Sequence, residues 1–232
     1  MDNAYSPTAW WVEARQRMSR HPIVKGVGTT AFMSLFFVAY FHVLRHPLFP
    51  VVQMPVTTLD RWIGFYPPAL LAYASLWLYV GIPPALLGSF RELLRYGLWI
   101  AALCGAGLLC FLLWPTAIPA QAPGNPGFPG FQILAGVDAK ANACPSLHVA
   151  TALFSALWLN RLLGEIGAPA AVRAGNWLWF VLIVYSTLAI KQHVALDALA
   201  GLLLGTLFGL PSLRHRSQPL PAPQSPLPAT AL

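Results

Sequence analysis

The sequence contains little charge. Only 9% of its 232 residues are charged, against about 25% in an average soluble domain, and 57% are hydrophobic. So few ionised side chains cannot cover the surface of a water-soluble globule that holds this much apolar mass. Aromatic residues make up 12% of the chain, which excludes a disordered polypeptide. The composition therefore predicts an integral membrane protein.

Cysteine is scarce as well, and the basic residues are dispersed. Cys104, Cys110 and Cys144 form no Cys-x-x-Cys pair, so neither a zinc knuckle nor a redox motif is indicated. The net charge of +7 is spread over predicted loop ends and is not interleaved with aromatics, which argues against nucleic-acid binding. No carboxylate cluster accompanies the histidines, so we expect no metal and no other cofactor.

Six apolar stretches approach the roughly 20 residues that a helix needs to cross a bilayer core about 30 Å thick. Each stretch is hydrophobic all round, unlike the alternating strands of an outer-membrane barrel. We therefore predict an all-α membrane protein, a bundle of six transmembrane helices at 26–44, 67–87, 96–114, 146–160, 174–190 and 193–210.

These spans define one transmembrane catalytic domain over 26–213, with a segment on either side of it. Residues 1–25 lack the residue order of a signal peptide, so we expect no cleavage there. Trp10 and Trp11 beside Arg15 and Arg17 fit a helix in the membrane interface, and a partly ordered tail is the alternative. Residues 214–232 are rich in Pro and Ser and are predicted to be disordered.

The basic residues also predict the orientation of the bundle. Most of them lie in the segments on the side shared by both termini, whereas the other side has Arg45, Arg61, Lys140 and Lys191. The positive-inside rule then places both termini in the cytoplasm. We expect a bacterial inner (plasma) membrane location, with the loops after spans one, three and five facing the periplasm or exterior.

A single acid, Asp197, falls inside a predicted span, where ionisable groups are costly and usually functional. It follows His193 by four residues, which places the two side chains one helical turn apart on one face. The carboxylate can then accept the Nδ1 proton and leave Nε2 free to act as base or nucleophile. A purely structural polar clamp between helices is the alternative.

A second polar group precedes the fourth span, in the motif Pro145-Ser146-Leu147-His148. A helix N-terminus that begins with Pro offers free N–H groups to an anion, and Ser146 adds a hydroxyl. Plain N-capping by Ser146 and a water-bonded interfacial His148 are the alternatives. Lys191, at the same level as His193, can neutralise an anion or extend to the interface. Together these groups suit the handling of phosphate.

These two motifs resemble those of the type 2 phosphatidic acid phosphatase superfamily. Pro145-Ser146-Leu147-His148 is similar to its second motif, and Ser186-Thr187 through His193 and Asp197 to its third. The segments Lys191-Gln192-His193, Ala200-Gly201 and Leu59-Asp60-Arg61, with Pro67-Pro68 and Tyr73, look like the branch of inositol phosphorylceramide and sphingomyelin synthases.

Two departures from the family pattern concern its cations. The Lys and Arg-Pro of the first motif have no match before Cys144, and Thr187 stands in place of the third motif's Arg. Phosphate recognition must then depend on Lys191, Ser146 and backbone N–H groups. An inactive relative is the alternative that these losses leave open.

The resemblance implies a metal-independent enzyme whose substrate is a lipid phosphate in the bilayer. It implies that His193 forms a phosphohistidine, that Asp197 orients its ring, and that His148 protonates the leaving oxygen and then activates the acceptor. Water as acceptor gives a phosphatase, and a lipid hydroxyl gives a headgroup phosphotransferase. A small lipid transporter or flippase is the alternative of another class. No oligomeric state is predicted.

Three glycines in the sixth span, Gly201, Gly205 and Gly209, have the spacing that lets two helices approach closely. We expect them to pack this span inside its own bundle, with Asp197 against the fourth span. Contact with a separate partner is the alternative.

Overall fold

The computed structural model describes residues 9–119 and 141–214, which are mostly helical. In chain order the helices are α1 (Trp10–Ser19), α2 (Pro22–Arg45), α3 (Thr58–Trp62), a 3-10 turn (Pro67–Ala69), α4 (Leu70–Ala74), α5 (Leu76–Tyr79), α6 (Ile82–Leu86), α7 (Phe90–Leu113), α8 (Leu147–Glu165), α9 (Ala170–Ala189) and α10 (Ala195–Ser212). The predicted tail 214–232 lies outside the described residues except for Arg214, as do residues 1–8.

Five helical segments in the described part of the chain are long and apolar enough to cross a membrane. They are α2, the run Pro67–Leu86, α7, α9 and α10. The fourth predicted span forms the 19-residue α8, which carries His148, Asn160, Arg161 and Glu165 and is not among the five. The all-α membrane architecture is confirmed, and six crossings and their orientation stay predictions.

Helix α8 lies at the centre of the bundle, in contact with α7, α9 and α10. Val149, Phe154 and Trp158 along it are almost completely buried. Trp158 donates its indole N–H to Ser212 Oγ at 2.8 Å, which links α8 to the end of α10. Because neighbouring helices shield α8, it tolerates more polar residues than a helix that faces lipid.

The second predicted span is present as the apolar run Pro67–Leu86, which is divided into short helical segments. Pro67 and Pro68 lie at its start, and Gly81, Pro83 and Pro84 lie at the start of α6. The break between α4 and α5 falls at Ser75. Proline lacks an N–H donor and fits only the first turn of a helix, so each pair begins a new segment.

The N-terminal segment forms helix α1, which packs against α6. Arg17 is paired with Glu13 at 2.9 Å and with Glu165 at the end of α8 at 3.3 Å. The Lys25 ammonium donates to Arg17 O and Ala85 O, both at 2.7 Å. Helix α2 begins at Pro22, earlier than the predicted start of the first span. The Lys25 bonds connect its first turn to α1 and α6.

Two short strands connect the segments that follow α2 and α7 and precede α8. Strand β1 (Val52–Gln53), after α2, pairs in parallel with β2 (Thr116–Ala117), after α7, and Thr116 bridges to Asn142 before α8. Helices α8 and α10 begin at this end of the bundle and α9 ends there. We call it the site end.

The three glycines of α10 face α8, as the sequence predicted. A Cβ on Gly201 would collide with Ser146 O, one on Gly205 would lie 2.7 Å from Ala150 O, and one on Gly209 would lie 2.7 Å from Leu157 Cδ1. Glycine is therefore required at these positions for the two backbones to approach this closely.

We predict that Gly205→Val lowers the free energy of unfolding by about 1–3 kcal/mol, because the added atoms overlap the α8 backbone. The control is Gly105→Val on α7, where an added Cβ meets nothing within 4 Å. Unfolding of the detergent-solubilised variants measures the difference. Equal stability of the two variants would contradict the close packing of α10 on α8.

Candidate active site

The first turns of α8 and α10 meet at the site end through backbone and side-chain hydrogen bonds. Ser146 is fully buried, and its Oγ accepts from Val149 N at 3.2 Å as the N-cap of α8. Its own N–H donates to Asp197 O at 3.0 Å. This bond joins the start of α8 directly to the first turn of α10.

His193 and Asp197 form the predicted pair. His193 lies in the turn just before α10, and its Nδ1 is 3.2 Å from Asp197 Oδ2. The Asp197 side chain is fully buried, and its Oδ1 has no hydrogen-bond partner among the described residues. With Nδ1–H donating to the carboxylate, Nε2 of His193 is left free for chemistry.

His148 lies on the adjacent helix, in the first turn of α8. Its ring is stacked on Tyr73 of α4, with 4.0 Å between ring centroids and 16° between planes. The centroid of the His193 ring is 6.5 Å away. Nε2 of His148 is buried and has no hydrogen-bond partner in the described part of the protein. The broken second span thus fixes the plane of one of the two histidines.

Lys191 is held by backbone carbonyls in this structure, and its contact with a phosphate stays a prediction. Its backbone is left-handed, with φ of 61°, and its ammonium donates to the carbonyls of Asp60 and Ile63. These bonds fasten the turn that carries His193 to the loop around α3. The structure brings His148, His193 and Asp197 together, and it places Ser146 in a cap and Lys191 in a brace.

Asp60, which the sequence placed simply in a loop, is buried and joins two helix starts. Its Oδ2 accepts from the N–H and the hydroxyl of Thr57, both at 2.7 Å, in a capping box for α3. Its Oδ1 accepts from Ala195 N at 2.7 Å, at the first residue of α10. The Thr-x-x-Asp spacing signals the capping box, but the bond to Ala195 spans 135 positions and has no local signal.

Asn142 is a residue that the sequence did not single out. It is buried, yet neither Oδ1 nor Nδ2 has a hydrogen-bond partner within the described residues. It lines the same cavity as His148 and His193. A buried amide without partners costs free energy unless a ligand or water satisfies it, so its position suits polar contact with a substrate.

The cavity that these residues share has a volume of about 610 Å³. Asn142, His148, Gln192 and His193 lie at its site end, Lys25 lies at the opposite end, and aliphatic and aromatic side chains line most of the rest. Such a site can place a polar group against the two histidines and an apolar group along the helices.

Cys144 precedes α8, outside the helices, and is buried. Burial raises the pKa of its thiol to about 11. The thiol is therefore protonated at neutral pH and is a poor nucleophile. Across residues 9–119 and 141–214, no three His, Cys, Asp or Glu side chains are grouped so that they could hold a metal ion.

The fold is that of a helical membrane protein, and two histidines share one of its cavities. The model of the PAP2 superfamily, the type 2 phosphatidic acid phosphatases, matches residues 101–218. The chain belongs to this superfamily, whose members are usually phosphatases or phosphotransferases. The match includes α8, α10 and every predicted site residue. Neither the curated proteins nor the solved structures contain a match to the chain.

We predict that Asp60→Ala loosens the start of α10, because Ala195 N loses its acceptor and α3 loses its cap. Loss of a helix cap costs about 1 kcal/mol, which corresponds to about a fivefold faster amide exchange for Ala195. Hydrogen–deuterium exchange over 190–198 measures it. The control, Glu92→Ala, removes an acid from the first turn of α7 and should leave exchange over 190–198 unchanged. Equal exchange in both variants would contradict a stabilising role of the bond from Ala195 N to Asp60.

Proposed function

We propose that the protein is a lipid phosphatase that acts through a phosphohistidine on His193. The observation that carries this proposal is the contact between His193 Nδ1 and the buried Asp197 carboxylate, with the His148 ring across the same cavity. Membership of the PAP2 superfamily supports the reaction class.

In the first step, Nε2 of His193 attacks phosphorus and the bond from phosphorus to the lipid oxygen breaks. Asp197 accepts the Nδ1–H hydrogen bond and stabilises the positive charge that the ring acquires. His148 donates a proton to the leaving lipid oxygen, so the lipid departs as an alcohol.

In the second step, His148 removes a proton from water, and the resulting hydroxide attacks the phosphohistidine. The bond from phosphorus to Nε2 breaks, inorganic phosphate leaves, and His193 is restored with His148 protonated again. Both steps need the two imidazoles on opposite sides of one phosphoryl group, which the 6.5 Å between ring centroids accommodates.

Several neutral groups can bind the phosphate oxygens. The amide of Asn142 is available as a donor, and the positive end of the α8 dipole lies at the same place. Lys191 and Ser146 were predicted to bind phosphate directly. The Lys191 ammonium keeps a third N–H beyond its two carbonyl bonds, and the Ser146 hydroxyl, which accepts from Val149 N, can still donate. In their observed positions they support the reaction by holding the turn of His193 and the start of α8.

The proposed face is the periplasmic or exterior one, with both termini in the cytoplasm. Arg91 and Arg95 in α7, Arg161 in α8 and Arg173 in α9 support it, since all lie toward the end of the bundle opposite the site. By the positive-inside rule that end faces the cytoplasm.

Transfer to a lipid hydroxyl is the second candidate reaction. It is favoured by Gln192, which lines the cavity next to His193 within the Lys-Gln-His segment similar to the phosphotransferase branch. In that case the lipid hydroxyl takes the place of water in the second step. Following both the phosphate and the lipid products separates the two reactions.

We predict that purified wild-type protein releases phosphate from detergent-solubilised phosphatidate and that His193→Ala releases none above background, because the nucleophile is absent. The control is His46→Ala, which changes an exposed histidine at the end of α2. Undiminished release by His193→Ala would refute the assignment, and a wild-type protein with no product of either reaction would favour a transporter.

We predict that Asp197→Asn lowers kcat by about 100-fold or more, because an amide stabilises the charged ring less well and does not fix its tautomer. The melting temperature is measured in parallel. If the carboxylate only clamps two helices, the variant should melt lower while each folded molecule keeps full activity, and that result would overturn the catalytic role.

A further inference from the structure

The cavity at the histidines extends far from them, between α2 and α7. Helix α2 lines it from Val24 to Tyr40, and α7 lines it from Phe90 to Phe111. The aromatic pair Tyr40 and Phe111 marks the site end, with 6.4 Å between ring centroids. Val24 and Phe90 are near the opposite ends of the same helices.

The depth of the cavity exceeds one leaflet of a bilayer. Sixteen helical steps separate positions 24 and 40 of α2, which is about 24 Å at 1.5 Å per residue. Half of a bilayer core is about 15 Å. The cavity therefore continues past the midplane toward the end opposite the site.

The lining away from the histidines suits hydrocarbon. Phe32, Phe36, Val80 and Leu93 are among the residues that line it, and no Asp, Glu or Arg does so in the described chain. Lys25 lies at the far end, with its ammonium already bonded to two backbone carbonyls. Thr151, which also lines the cavity, already donates its hydroxyl to Leu147 O. Because most of the lining is aliphatic or aromatic, an apolar chain is the ligand that fits it.

We propose that this cavity binds the hydrocarbon chain of the substrate and that its depth selects a chain long enough to pass the bilayer midplane. The assignment rests on the proposed function and names its substrate class, a long-chain lipid phosphate. The phosphate lies at the histidines, and the chain extends between α2 and α7 toward Lys25.

Two glycines allow the far half of the cavity to be filled by mutation. Gly28 of α2 and Gly97 of α7 line it, and an added Cβ at either position meets nothing within 4 Å. A side chain at either position therefore starts in open space, and a leucine there narrows the cavity. Gly105 of α7 is also open to an added Cβ but is not part of the lining, which makes it a matched control.

The test compares octyl phosphate and docosyl phosphate, whose chains are shorter and longer than one leaflet, in the same detergent. Gly97→Leu should lower kcat/KM for docosyl phosphate by about tenfold or more and leave octyl phosphate unchanged. Gly105→Leu should change neither. An equal effect of Gly97→Leu on both substrates, or an effect on neither, overturns the proposal.

A binding measurement separates this proposal from the proposed function. Docosyl phosphate with a photoreactive group at the chain terminus should crosslink to α2 or α7 near Lys25 and Leu94 in wild-type protein, and less in Gly97→Leu. This result does not require turnover, so an inactive protein that crosslinks there refutes the phosphatase and keeps the chain site. Crosslinks confined to the surface around Gly105 refute the chain site even if phosphate is released.

Discussion

The close approach of α10 to α8 is the contact on which the rest of the site depends. Gly201 lies against Ser146 O, and the N–H of Ser146 donates to Asp197 O, so the backbones of the two helices touch where both begin. This approach buries the Asp197 carboxylate between the helices and brings His193 alongside His148. A larger residue at Gly201 would separate the two histidines as well as weaken the packing.

The side chains around the two histidines are held in place by hydrogen bonds with backbone atoms and by one ring contact. The ammonium of Lys191 is bonded to two carbonyls, Asp60 accepts from the amide of Ala195, and the ring of His148 rests on Tyr73. Each of these partners comes from the segment between α2 and α7, which the sequence breaks with proline and glycine. An irregular segment can direct carbonyls and side chains sideways, whereas a continuous helix uses its carbonyls internally.

Apolar run length was enough to predict the helical membrane architecture, and the spacing of His193 and Asp197 was enough to predict their pairing. These are local properties, set by helix length and by one helical turn. The partners of Lys191 and the bond from Asp60 to Ala195 could not be predicted, because they join positions more than 120 residues apart. The second predicted span matches the apolar run Pro67–Leu86, but its division into short segments was not predicted, because hydropathy does not register that a proline pair begins a new helical segment. Asn142 was missed because its only distinction is a buried amide without partners.

The pairing of β1 with β2 links the packing of α2 and α7 to the site. Two strands of two residues each have too few hydrogen bonds to be stable alone. They pair because packing of α2 against α7 brings their ends together, and Ala143 N then donates to Thr116 O. Asn142, the neighbour of Ala143, reaches the cavity through this connection. Both α2 and α7 line the cavity, so no fragment that lacks either helix would contain the finished cavity.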